Sequence, residues 1–154
     1  MKKNIYVFVL LIASLSFSIN AFSGHHSEGK DSYKEDQQAV LDAFGWDFKK
    51  AEITIEKINE NNHVLFGLGG NILVNSGKDG VLIVDDQFPQ LKNKIMRAIR
   101  KVGGKKIDYI VNSHWHFDHA EGNLAFGKTG SKIIAHENSR YMMINPQPIN
   151  LVSV

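Results

Sequence analysis

Residues 81–111 read VLIVDDQFPQLKNKIMRAIRKVGGKKIDYIV, and this stretch decides the fold. Val81 to Val84 is a continuous apolar run that suits a strand buried on both faces. Phe88, Leu91, Ile95, Ile99 and Val102 then recur at spacings of three and four, while Lys92, Lys94, Arg97, Arg100 and Lys101 mostly fill the other sides. That pattern predicts an amphipathic helix. Pro89 suits its first turn and Gly103-Gly104 its end, with cations close to the carboxyl terminus of the helix dipole. Ile107 to Val111 predicts a second buried strand. A crossover helix between two strands of one sheet makes them parallel, so their carboxyl ends share an edge. Asp85 follows the first strand and His114 the second, which places both in the crevice where open α/β sheets hold ligands.

Upstream, Ile53, Ile55 and Ile58 alternate with polar residues, and Val64 to Leu68 and Ile72 to Val74 follow as two further strands. Gly69-Gly70 and Lys78-Asp79-Gly80 are turn signals between runs, so an antiparallel meander is expected to lead into the strand at Val81. The Gly69-Gly70 pair has neither Walker nor dinucleotide spacing, and a turn accounts for it. Downstream, a shorter strand is expected at Lys132 to Ala135. Residues 24–50 read as a polar lead-in, mobile at least to about Gln38, and its His25-His26 pair as solvated.

The chain opens on an address. Lys2 and Lys3 form a basic start, Ile5 to Phe17 an apolar stretch, and Ala21-Phe22-Ser23 a site of small residues. Residues 1–23 are therefore expected to be a cleaved signal peptide, with a periplasmic or secreted mature chain starting near Gly24. The apolar run is broken by Ser14, Ser16 and Ser18 and is shorter than the ~20 residues of a membrane span, so no stable span is expected. Without Lys2 and Lys3 the 18 Lys and Arg fall to 16, equal to the 16 Asp and Glu. That balance argues against a nucleic-acid partner. The chain has no cysteine, so any metal must be held by nitrogen and oxygen.

Behind the second strand stands His114-Trp115-His116-Phe117-Asp118-His119. Three histidines and an aspartate within six positions, on a segment leaving a strand, are donors of the kind zinc favours. Trp115 and Phe117 alternate with the ligands and are read as packing residues. His136 is read as structural or on the surface.

This stretch matches the H-x-H-x-D-H signature of the metallo-β-lactamase superfamily. Gly69-Gly70-Asn71-Ile72, Gly80 to Phe88, Val111-Asn112-Ser113 and Gly122-Asn123 extend the resemblance, which looks like exported zinc hydrolases of the cyclase-like or sulfur-oxidation-associated branch. It covers roughly Ala51 to Met143. The resemblance implies that 51–154 is the N-terminal half of an αβ/βα sandwich, an α+β or α/β fold. It implies up to two zinc ions, the first on His114 and His116 and the second on Asp118 and His119. Asp118 would also orient an activated water and help move its proton, and Asp85 would steady the histidine loop by hydrogen bonding without being a ligand. On the residues alone the lesser alternative is that Asp85 is a turn-forming acid.

The family's remaining ligands, a histidine, an aspartate and a last histidine, belong to a second half. No histidine follows His136 and no aspartate follows Asp118. Two accounts stand open: a truncated or fragmentary zinc hydrolase acting on a small molecule with a hydrolysable bond, or an exported metal-binding or partner-binding module without turnover. The helix at 89–102 can cover only one face of the sheet, so the reading also allows self-association through the uncovered face.

Overall fold

The two strands flanking the crossover pair in parallel. In the computed structural model, which describes residues 31–145 with side chains from Gln38 onward, β4 (Gly80–Val84) lies beside β5 (Tyr109–Asn112), Leu82 opposite Tyr109 and Val84 opposite Val111. The leader expected at 1–23 and the His25-His26 pair lie outside the described residues. Pro89 opens a 3-10 turn, Pro89–Leu91, that runs directly into α2 (Lys92–Lys101).

The meander precedes this unit. β1 (Thr54–Lys57), β2 (Asn62–Phe66) and β3 (Ile72–Gly77) pair antiparallel in sequence, and β3 pairs antiparallel with β4. β6 (Lys132–Ala135) adds in parallel on the far side of β5. The result is one six-stranded mixed sheet in spatial order β1 to β6, an α+β architecture. Among the described residues no helix is long and apolar enough to cross a membrane.

The core lies on one face of the sheet. Leu65, Ile72, Val74, Ile83 and Ile110 point towards Leu91, Ile95 and Ile99, and all eight are sealed from solvent. Each such side chain contributes roughly 1.5–3 kcal/mol relative to exposure. The apolar run at Val81 to Val84, read as buried on both faces, is buried on one: Val81 and Ile83 are covered, while Leu82 and Val84 stay half-buried. An unbroken apolar strand records that both its faces are apolar, not that both are covered.

The reading of 24–50 as a lead-in also changes. Asp31–Phe44 forms α1, and Val40 is buried. Phe44 stacks on Trp46 at 4.8 Å, while Trp46 and Phe48 approach Phe88 edge-on at 5.7 and 5.0 Å. The polar residues of this stretch masked a few large aromatic anchors that tie it to the core.

Lys94 has a role that helical periodicity does not disclose. Its ammonium donates to the carbonyls of Phe48, Lys49 and Ala51 at 2.8, 2.8 and 2.6 Å, pinning the chain ahead of β1 to α2. Lys94→Met keeps the stem and leaves three carbonyls without their donor. Hydrogen bonds to a charged group contribute about 1.5–3 kcal/mol. The variant should therefore lose roughly 2 kcal/mol, read as a lower urea midpoint at unchanged slope. Arg100→Met, on an exposed site of the same helix, should change the midpoint little.

Candidate metal centre

β4 and β5 end side by side, and the loops that leave them are stitched together. The Asp85 N–H donates to the Val111 carbonyl at 2.9 Å, and the Asp86 N–H donates to the His119 carbonyl at 2.9 Å. Asp85 and Gln87 both have left-handed backbone, with φ of 64° and 53°. Such conformations cost on the order of 1–3 kcal/mol each in non-glycine residues and persist where surrounding contacts fix them.

The Asp85 carboxylate supplies those contacts. It accepts from the Ser113 N–H and the Ser113 hydroxyl, both at 2.7 Å, and meets Nδ1 of His119 at 2.7 Å. Burial pushes its pKa up, but the hydrogen bonds from His119 and Ser113 outweigh that and hold it below the ordinary carboxylate value. In return, the hydrogen bond to Asp85 raises His119 against the effect of burial.

The signature residues follow. His114 and His116 sit on the segment between β5 and α3 (Phe117–Ala120), and the His116 carbonyl accepts from the His119 and Ala120 N–H groups at 3.0 Å. Asp118 and His119 therefore lie on one helical turn anchored by His116. The His114 ring lies 4.1 Å from that of His119 and 4.6 Å from that of His116. Burial lowers the His114 pKa, and the neighbouring imidazoles lower it further. Nε2 of His119 faces Asp118 Oδ2 at 3.4 Å. Phe117 packs towards Phe88 at 5.9 Å, as its alternation suggested, while Trp115 lies edge-on to His116 at 4.7 Å. His136 is exposed and caps the helix Glu137–Ile144, its Nδ1 accepting from the Asn138 N–H at 3.2 Å, a structural duty.

These residues fit the donor requirements of zinc in their chemistry and in how they are held. His119 uses Nδ1 on Asp85, and His114 has Nδ1 3.0 Å from the Ser113 hydroxyl, so each ring keeps Nε2 for a ligand. A metal-bound histidine is held in this way by its second nitrogen. The convergence is incomplete, however: among the described residues no three His, Asp or Glu side chains form a group that could hold a metal ion. The site has its donors and their supports but lacks a shared focus.

The glycine pair read as a turn does more than turn. A Cβ on Gly70 would fall 2.3–2.6 Å from the His119 ring, and one on Gly69, which has φ 72°, 2.5 Å from Asp118 Cβ. The side chain of Gln87 donates to the Gly70 carbonyl and holds this wall in place. Sequence reading also passed over Asp86. It is sealed from solvent, and burial reinforced by the Asp85 charge raises its pKa to about 8 against the lowering effect of the Gly122 N–H. Gly122 presses against it so closely that a Cβ would lie 2.4 Å from the Asp86 carbonyl oxygen. The only signals for either feature were the adjacency of Asp86 to Asp85 and the Gly-Gly step.

The family model for the metallo-beta-lactamase superfamily matches residues 65–153, more than half of the chain. This chain belongs to the metallo-β-lactamase superfamily. Its relatives within that superfamily include BJP-1, a subclass B3 metallo-beta-lactamase of Bradyrhizobium japonicum. The two share 26% identity with a TM-score of 0.53 over 60% of this chain and 36% of that one. The mono-zinc form of FIM-1 from Pseudomonas aeruginosa matches at 19% identity and a TM-score of 0.54, over 60% and 46% of the two chains. A coenzyme F420H(2) oxidase of Methanothermobacter marburgensis is 29% identical over 66 residues, 40% of this chain and 16% of the oxidase. The chain thus spans less than half the length of each of these relatives. They include lactamases and an oxidase, so superfamily membership gives the fold and a family of hydrolases and oxidoreductases without fixing one reaction.

The glycine wall gives a direct test. Gly70→Ala should displace the His119 ring and break its contact with Asp85, read as loss of the downfield imidazole N–H proton resonance. Gly77→Ala, where a Cβ meets nothing within 4 Å, should leave that resonance in place.

Proposed function

We propose that this chain carries the first half of a zinc-dependent hydrolytic site in an exported protein, acting on a small molecule with a hydrolysable bond. The observation that carries the reading is the hold on His119: Asp85 takes Nδ1 at 2.7 Å, and Nε2 is left beside Asp118 and the His114 ring. His114 and His116 would hold one zinc ion, and Asp118 and His119 a second. Zinc bound there would lower the pKa of a coordinated water towards neutrality and polarise a substrate oxygen.

The chain's own residues do the rest. Asp118 orients the attacking water and receives its proton, Asp85 and Ser113 fix the imidazoles, and Gly69 and Gly70 let the loop close on Asp118 and His119. The mono-zinc form of FIM-1 supports the choice of metal, and the signature His114 to His119 supports the ligand set. The order of basic, apolar and small residues from Lys2 to Ser23 supports export, with 1–23 as the leader.

A second reading is a metal-binding or partner-binding module without turnover, and the incomplete convergence of the donors favours its partner-binding form, which needs no metal. The two differ in zinc-dependent hydrolysis of test esters and β-lactams, which the first expects at a low rate and the second does not.

The ligand assignment is tested by zinc titration against a competing chelator. His116→Ala should remove much of the affinity, whereas His25→Ala/His26→Ala should matter little. Equal losses from both would overturn the assignment. Export is checked separately: mass spectrometry of protein recovered from a Gram-negative periplasm should show a start near Gly24, and an intact Met1 form retained in the membrane would refute it.

A further inference from the structure

α2 reads KNKIMRAIRK, five cations and no acid, although the whole chain has a formal net charge of only +2. Lys94, Arg97 and Lys101 stand at i, i+3 and i+7, on one stripe of the helix. By holding the carbonyls of Phe48, Lys49 and Ala51, the Lys94 ammonium brings Lys49 and Lys50 alongside that stripe. Between the two segments lies a cleft of about 420 Å³, lined by all five of these cations. It opens on the α2 side of the sheet, so it does not depend on what covers the other face. α2 runs from the end of β4 back to the start of β5, which sets Arg97 and Lys101 towards the sheet edge opposite the histidine loop.

These charges are poorly matched from within the chain. Among the described residues Lys49, Arg97 and Lys101 make no salt bridge, and Lys50 meets only Asp47, at 3.5 Å. Glu52 is the one acid that lines the cleft, so five cations against one carboxylate leave its walls with a net charge of +4. Arg97 and Lys101 are a like-charged i,i+4 pair, a spacing that slightly destabilises a helix. A cleft lined by one sign of charge focuses its field and concentrates counter-ions. Ile53 and Ala98 supply apolar surface among the cations.

We infer that this cleft binds a soluble small molecule carrying two phosphate groups. Each such group carries up to about two negative charges near neutral pH, so two of them match the charge of the walls. The planar guanidinium of Arg97 suits two-pronged contact with phosphate oxygens, while Lys49, Lys50 and Lys101 are point charges on flexible stems that can close from both walls. The volume is more than a single ion fills and lies within the roughly 300–1,000 Å³ of small-molecule sites. Ile53 and Ala98 offer contact to the carbon skeleton between the phosphates, and Glu52 an acceptor for a hydroxyl.

Titration calorimetry of the full chain, with inorganic diphosphate as the probe, tests this. Binding should saturate at one diphosphate per chain and be tighter than that of inorganic monophosphate. Arg97→Gln and Lys101→Gln, both at exposed positions, should each weaken it roughly tenfold. Arg100→Gln removes the same charge from the same helix outside the cleft and should change it little. His116→Ala should leave diphosphate binding unchanged, so this inference and the metal reading can fail separately. Absence of saturable binding overturns the inference. So do equal losses from Arg97→Gln and Arg100→Gln, which would report diffuse charge attraction, and a loss in His116→Ala, which would place the diphosphate on the histidine loop. Vesicles of phosphatidylglycerol should not sediment with the protein, and recruitment to them that Arg97→Gln abolishes overturns the inference in favour of a lipid surface.

Discussion

The grip of the Asp85 carboxylate on Ser113 and His119 is the interaction on which the rest of the site depends. It joins the ends of two parallel strands that are adjacent in space and far apart in sequence, and it uses both carboxylate oxygens to do so. Without it, the segment from Ser113 to His119 would keep the Asp86–His119 backbone bond and the Phe117–Phe88 contact but lose the carboxylate that orients the His119 ring. The left-handed backbone at Asp85 and Gln87 is the conformational cost of turning that carboxylate under the histidines instead of out to solvent.

Around this grip the packing is tight. Gly69, Gly70 and Gly122 sit where any larger residue would collide with Asp118, His119 or Asp86, so the backbone itself forms part of the wall. Asp86 adds an unusual element. At neutral pH a group with a pKa near 8 is mostly protonated, so the residue under the loop behaves as a neutral acid beside the charged Asp85. The two adjacent aspartates thus have opposite states, set by hydrogen bonding in Asp85 and by burial in Asp86.

Much of this was legible in the sequence because it is written in local periodicity. The crossover helix, the parallel pairing of β4 and β5, and the six strands all follow from apolar spacing and turn residues, and β6 falls on Lys132–Ala135 as read. The clustering of His114, His116, Asp118 and His119 follows from their adjacency in the chain. What stayed hidden depends on distant partners. Periodicity places Lys94 on a polar face but cannot show three carbonyls from residues 48–51 meeting it. Polar composition at 24–50 hid the helix that Val40 anchors, because a few aromatic contacts with Phe88 outweigh many solvated side chains. Gly-Gly reads as a turn whether or not a histidine leans on it.

The two rims of the sheet are unequal, and this has a consequence for handling the protein. Among the described residues β1 and β6 are the outer strands. β1, with Glu56 and Lys57 in its four residues, discourages strand addition by charge. β6 reads Lys-Ile-Ile-Ala, with three apolar residues and a single charge, and presents an open row of backbone donors and acceptors. Edge-to-edge growth has one available side, so fibrillar assembly at high concentration would begin there, and Ile133, 41% exposed, is the position where a lysine or proline gatekeeper would block it.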